Sequence, residues 1–475
     1  MASNQRERTP SRAVKGLPSI SSAEAFRVRR WDVLMLGTAL PGLVAAARLG
    51  QRGLRVLILE EGGARGDDLA REPYLLVDPE SEGLLAECLR ALGIALIDQR
   101  RFVGEEVALQ VCDAERRVDL GRSTHTAEEW ASWGLASLEA ARGWVRALEE
   151  AAQTERSALL ETQLSLKTAR RARDVLTGSR RVQAGERGWP SALDGAPAAL
   201  RALLDAPIRA LSNLGERDPS PEARARLLGG LLRGGVSMTG GDGFLCGLLR
   251  RRVETLYGEF RSVEGGFRLV SVSNQPGIAV SGSKEIWTGR ALLFNAPRAA
   301  IATAVEAPVP DLLDAPPIRR RRHTLHFRGP REQLPPSMAD RVVWRDPEDD
   351  ACVALRVFRE RRRADGFDLL GSVVIPADAP EAAAVAEARI ERALRDLLPF
   401  SEGALERRAL PARRWDSDAW LADPDGAAWP EEPELRLSSR PHVFSLERAP
   451  VGGLGGEGEL WLGWRAGDAI AEELG

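Results

Sequence analysis

Gly37, Ala39 and Gly42 follow the apolar run DVLMLG (32–37), and Glu60 closes the run RVLIL (55–59), 23 positions beyond Gly37. Glycines at such spacing let backbone come close to a diphosphate. The helix that follows aims its N–H groups at the same anion, and an acid about 20 residues on accepts the ribose hydroxyls. These residues point to dinucleotide binding, with Gly37, Thr38, Ala39, Leu40 and Gly42 around the diphosphate and Glu60, beside Glu61, at the ribose. One position departs. Ala39 carries a methyl where G-x-G-x-x-G has its second glycine, and that methyl either pushes the diphosphate outward or removes it.

Only a strand–turn–helix–strand unit brings these residues together. Residues 32–37 have the length and apolarity of a buried parallel strand, and Gly37 supplies the sharp turn. From Leu40 to Gly50 the apolar spacing is helical, with Pro41 where a first turn tolerates it. Gly53 breaks the helix, and residues 55–59 form the second strand. Gly42 serves helix–strand packing, so the unit folds whether or not it keeps a ligand.

Composition narrows the function classes. The 475 residues suffice for more than one domain. With 66 basic against 69 acidic residues the net charge is −3, which excludes the cationic excess that nucleic-acid binding needs. Cys88, Cys112, Cys246 and Cys352 form no C-x-x-C pair and read as reduced, buried thiols of a cytoplasmic protein. No apolar run approaches the roughly 18 residues of a membrane span. Residues 1–30, arginine-rich and without an apolar h-region, read as a disordered basic tail, with a tether to anionic lipid as the alternative. Trp130, Trp133 and Trp144 are spaced for one helix face, either buried or on lipid. His323 and His326 face opposite sides of an expected strand, so no metal site is expected. His125 and His442 have no evident acid partner, and Arg319 to Arg322 read as a solvated face or a dock for an acidic partner or lipid headgroup.

Further stretches follow in order: GEEVALQVCDAERRVDLGRSTHTAEEWASWG (104–134), GGDGFLCGLLRRRVETLYGEFR (240–261), GRALLFNAP (289–297) and GGLGGEGELWLGWRAGDAIAEEL (452–474). Together with the opening unit they resemble the FAD-dependent superfamily of phytoene desaturases and amine oxidases, which includes the GDP-dissociation inhibitors of small GTPases. The resemblance implies an α/β fold in which a Rossmann-like FAD/NAD(P)-binding domain is assembled from 31–134, 231–305 and 440–475. It is interleaved with a helical segment (135–230) and an α+β substrate-type domain (306–439). It further implies FAD as cofactor and hydride transfer from an apolar, isoprenoid or lipid-like substrate; peripheral membrane contact stays open only through the basic tail, the arginine run and the tryptophans. The closing helix, with Gly455, Gly456, Glu457 and Gly458, would meet the flavin's pyrimidine edge, and Arg65 would stand in for the family's "GGR" cation.

Several residues depart from that pattern. Asp67 and Asp68 follow Gly66 where "GGR" is expected, and like charges oppose a diphosphate. Glu457 and Glu459 replace a proline and an apolar residue; a carboxylate there either competes with the flavin for the helix N-terminus or caps it. Glu447 and Arg448 read as a salt-bridged surface pair. Lys284, just ahead of FNAP, lies in the wrong region for the lysine of amine oxidases, which disfavours amine oxidation. No catalytic residue emerges. Three readings stay open: a desaturase- or isomerase-like flavoenzyme, an inactive pseudoenzyme of the same fold, and a binding protein like the GDP-dissociation inhibitors.

Overall fold

A computed structural model describes residues 17–20, 26–62, 77, 83–161, 163–164, 166, 193, 195–211, 227–239, 243–307, 309–313, 320–346, 348, 350–359, 366–401, 403–416, 420–421, 435–439, 442–448 and 455–475. The first sheet holds β1 (Arg27–Leu36), β2 (Val56–Glu61), β7 (Glu259–Val263), β8 (Phe267–Val272), β9 (Gln275–Val280), β10 (Glu285–Phe294), β17 (Arg436–Ser439) and β18 (His442–Ser445). Its order is β17–β18–β10–β1–β2–β7, with the β8–β9 hairpin attached to β10. Strands β18, β10, β1, β2 and β7 run parallel, so their C-terminal ends share one edge. Leu36, the last residue of β1, is flanked in register by Phe294 and Leu59. The run Val33–Leu36 is wholly buried because both faces of a parallel sheet are covered, which is why it reads as continuous apolar sequence.

The helices include α1 (Leu40–Gln51), α2 (Leu84–Ala91), α3 (Leu96–Gln99), α4 (Ser123–Ser132), α5 (Leu138–Glu161), α6 (Ala198–Leu211), α7 (Phe244–Thr255), α8 (Arg298–Ala302), α9 (Pro310–Leu313), α10 (Pro380–Leu397) and α11 (Gly455–Leu474). α1, α2, α7 and α11 cover one face of the first sheet through Val44, Leu89, Leu249 and Trp461. The other face packs on the β8–β9 hairpin, α8 and α9 through Leu34, Leu57, Phe267 and Leu312. α11 lies so close on α1 that a Cβ at Gly463 would stand 2.3 Å from the Pro41 carbonyl oxygen.

The second sheet contains β4 (Val107–Cys112), β5 (Arg117–Gly121), β11 (Arg320–Pro330), β12 (Arg341–Arg345), β13 (Cys352–Phe358), β14 (Gly366–Pro376), β15 (Glu406–Arg408) and β16 (Trp420–Leu421). α10 covers one face, and α4, α5 and α6 cover the other. β3 (Phe102–Glu105) and β6 (Gly235–Met238) form a separate pair.

The unit β1–α1–β2 lies where the sequence places it, as do α7–β7, β10 and α11. Two segments sit elsewhere than the domain boundaries expect. β4 and β5, assigned to the first domain, join the second sheet because β4 pairs with β12. Part of the expected N-terminal tail is built into the first sheet: β1 begins at Arg27, Leu17 is buried, and Pro18 and Ile20 bond to Ser271. Residues 1–16 and 21–25 lie outside the described residues. The tryptophans do not share a face either. Gly134 (φ +65°) ends the turn after α4, leaving Trp130 buried, Trp133 exposed and Trp144 half-buried on α5.

Gly463→Ala should lower unfolding free energy by about 1–3 kcal/mol in denaturant titration, since backbone rather than a flexible side chain meets the new methyl. Gly143→Ala, on α5 with open space around it, should leave stability unchanged or raise it by up to about 1 kcal/mol. Equal effects at the two positions would contradict the α1–α11 packing.

Candidate functional site

The turn after β1 is built from the strand ends inward. Gly37 adopts φ +104° and its N–H donates to the Leu59 carbonyl at 2.9 Å. Asn295, just past β10, donates through Nδ2 to the carbonyls of Gly37 (3.1 Å) and Ala39 (3.0 Å). A Cβ at Gly42 would fall 1.9 Å from that nitrogen, so Gly42 makes room for the Asn295 carboxamide. Asn295 Oδ1 is buried without a hydrogen-bond partner among the described residues; as an acceptor it offers a phosphate nothing. The N-terminus of α1 starts at Ala39 with no side-chain cap and no acid in its first turn.

The chain supplies its own acceptor to this turn. Thr38 donates from its backbone N–H to Asp416 Oδ1 and from Oγ1 to Asp416 Oδ2, both at 2.8 Å. Asp416 belongs to a bent strap, Arg413–Asp416, that lies across the edge of the first sheet. Glu61 grips the strap: its Oε2 accepts the N–H groups of Arg414 (2.6 Å), Trp415 (2.9 Å) and Asp416 (3.2 Å). Trp415 is 1% exposed, packed in the cluster of Leu36, Leu59 and Phe294 and set edge-on to Phe267 at 5.7 Å. Burying such a side chain contributes on the order of 2–3 kcal/mol to holding the strap. Burial pushes the Asp416 carboxyl above the usual aspartate range, opposed by the Thr38 bonds and the Arg413 charge.

Adjacent acids on β2 point to opposite faces, as strand geometry requires. Glu61 turns toward the strap with Leu57 and Leu59, whereas Glu60 shares the helix-covered face with Val56 and Ile58. There Arg250 of α7 reaches it at 2.7 Å while stacking over Phe260. The expected ribose acid is therefore engaged by arginine.

At the other end of the site α11 begins at Gly455 (φ +57°), and Gly456, Glu457, Gly458 and Glu459 are all buried. The expected Glu447–Arg448 surface pair does not form. Half-buried Arg448 bonds the buried Glu459 at 3.0 Å, and Glu447 pairs with Arg298 at 2.7 Å. Trp461 donates to the Leu159 carbonyl at 2.8 Å, which docks the end of α5 on α11. Arg65, Gly66, Asp67 and Asp68 lie outside the described residues.

The other candidates sort out as follows. His323 and His326 face opposite ways, toward Glu387 (3.4 Å) and Asp368 (2.8 Å), and no metal-holding cluster occurs among the described residues. His125 and His442 do have acids nearby, Asp119 at 3.8 Å and Glu473 at 3.9 Å. Arg322 is buried and donates to the Ala210 carbonyl, so that part of the arginine run is no solvated face. Burial pushes the thiols of Cys88 and Cys112 up to about 12 and that of Cys352 to about 11, although Cys352 and Cys246 are only half-buried, against the expectation. No helix among the described residues is long and apolar enough to cross a membrane.

This architecture has known counterparts. The chain is similar to an oxidoreductase from Methanosarcina mazei, at 15% identity over 92% of this chain and 99% of that one, with TM-score 0.57. It is also similar to a triple mutant of putrescine oxidase from a redesign of cofactor binding, at 13% identity over 94% and 100%, with TM-score 0.52. A protein from Pyrococcus furiosus matches at 13% identity over 91% and 95%, with TM-score 0.52. The fold is that of the FAD-dependent amine oxidases. No protein-family model and no curated protein matches the sequence.

The residues that the sequence assigns to the adenosine half of FAD are engaged within the chain and do not fit it here. The Thr38 N–H is taken by Asp416, the Ala39 methyl stands at the second glycine position, Glu60 is held by Arg250 and Glu61 by the strap. A diphosphate would meet a carboxylate where it needs donors. The residues that decide this, Asp416, Trp415, Asn295 and Arg250, were not singled out from the sequence. RRWDSD carries no motif, and only the strand ends bring it to the turn.

Because the folded Asp416 pKa lies above its ordinary 3.8, its linkage contribution is fully present below about pH 4. That contribution is lost as pH rises through the raised value, since the unfolded chain ionises first. The stability of wild type relative to Asp416→Asn, from denaturant titrations across pH, should therefore fall as pH rises from about 4. A difference that grows with pH would contradict the buried placement.

Proposed function

We propose that this chain is a non-catalytic protein of the FAD-dependent oxidoreductase fold, its dinucleotide crevice closed by Arg413–Asp416. One observation carries the reading: both oxygens of the Asp416 carboxylate lie on Thr38, at the turn where a diphosphate would be held. An occupant tethered to the same chain competes at an effective concentration in the millimolar range or above. FAD would also have to displace Trp415 from its apolar cluster and break the Glu61 contacts. Such a protein acts by binding, the reading that likens it to the GDP-dissociation inhibitors. Flavin-dependent oxidation of an apolar, isoprenoid or lipid-like substrate, the other reading that the fold admits, requires the strap to leave first.

Purified protein should be colourless, and titration of FAD with it should leave flavin fluorescence and anisotropy unchanged. The double variant Ala39→Gly/Asp416→Ala frees the Thr38 N–H and removes the methyl, so it should bind FAD measurably. The same variant should lose about 1–3 kcal/mol of stability, because a buried N–H loses its acceptor. Yellow wild-type protein, or saturable FAD binding by it, would overturn the proposal.

A further inference from the structure

We propose that the N-terminal half of β1 is a docking edge that takes an acidic, extended segment of a partner protein as an added strand. β10 accompanies β1 from Arg27, opposite Glu285, to Leu36, opposite Phe294, whereas β2 joins it only from Val33. Among the described residues no strand lies on the other side of Arg27–Trp31. Arg27 donates its N–H to the Lys284 carbonyl at 2.9 Å, so by the alternation of a strand Arg27, Arg29 and Trp31 turn their backbone groups to β10. Val28 and Arg30 turn theirs outward, and both residues are exposed.

The acids at this edge are already engaged. Glu285 meets Arg29 at 2.7 Å, Glu259 meets Arg261 at 3.2 Å and Arg55 at 3.8 Å, and Asp32 meets Arg290 at 3.6 Å. Arg27, Arg30 and Lys284 are exposed and have no carboxylate at ion-pair distance among the described residues. Counting Glu254 at the end of α7 and Glu306, which accepts from Ser281, still leaves the cations in the majority, seven to five.

Charge selects the occupant. A second copy would set this arginine edge against itself, and like charges facing one another across a strand pair are destabilising. Residues 1–16 carry Arg6, Arg8, Arg12 and Lys15 against Glu7 and are no better matched. Charges on an edge strand ordinarily guard it against pairing, but to an acidic strand the same charges are attractive. In strand addition the main-chain hydrogen bonds supply affinity and the side chains supply selection. Arg27 and Arg30 stand on opposite faces of β1, so acids on either face of the added strand meet a cation. The edge lies at the opposite end of β1 from Thr38 and is neither the basic tail nor the arginine run at 319–322. Docking there is independent of whether FAD binds.

Fluorescence anisotropy of a labelled peptide of alternating Glu and Val, titrated with the full-length protein, tests the edge. The controls are an alternating Lys and Val peptide and the acidic peptide N-methylated at alternate residues, which keeps its charge but cannot pair. Wild type should bind the acidic peptide saturably, more weakly in high salt, and should bind both controls on the order of tenfold more weakly. Arg27→Glu/Arg30→Glu reverses two exposed charges, and Val28→Pro removes an outward N–H where an edge strand tolerates proline. Each variant should keep the wild-type circular-dichroism spectrum and lose affinity on the order of tenfold. Failure of wild type to bind, equal binding to either control, or unchanged binding by either variant would overturn the proposal. So would a dimer in solution that Val28→Pro abolishes.

Discussion

The amide of Thr38 is the constraint around which this crevice is arranged. A sharp turn between a buried strand and a buried helix leaves an inward N–H that must find an acceptor, because unpaired buried donors are costly. In a dinucleotide-binding protein the ligand provides one. Here Asp416 does, and the remaining features follow from putting a carboxylate in that place. The strap must be held against the sheet edge, so Glu61 takes its backbone N–H groups and Trp415 anchors it in the core. The turn must close beneath it, so Asn295 ties Gly37 to Ala39 and Gly42 stays small.

The charges around the strand ends obey the same constraint. Three acids near the strand ends have arginine partners within the chain: Glu60 with Arg250, Glu447 with Arg298, and Glu459 with Arg448. Buried ion pairs add little net stability once desolvation is counted, yet removing one partner is costly. They fix which elements meet, joining α7 to β2, α8 to the segment after β18, and that segment to α11. On the proposed reading the fold is kept while the groups that would bind a dinucleotide are engaged within the chain.

Much of this fold was legible from residue spacing. The strand–glycine–helix–strand unit, the strand before FNAP and the closing helix all rest on local apolar periodicity and on turn residues, which act over a few positions. The degeneracy at Ala39, Glu457 and Glu459 was equally visible. Other features were not, because they depend on partners far along the chain. Asp416 meets Thr38 across 378 positions and Arg250 meets Glu60 across 190. β4 and β5 resembled parts of the first domain by motif order, and only their pairing with β12 places them in the second sheet. Arg322 looked like a surface charge because burial of a hydrogen-bonded arginine leaves no signature in sequence.

Native-state hydrogen exchange at the Thr38 amide, followed without any nucleotide present, tests the central claim most directly. An amide held by a buried carboxylate beneath a core-anchored strap should exchange only through large-scale opening, at a rate near that of the core amides of β1. Exchange orders of magnitude faster than those amides, with slow exchange appearing only when FAD is added, would show an open turn awaiting its ligand and contradict the account.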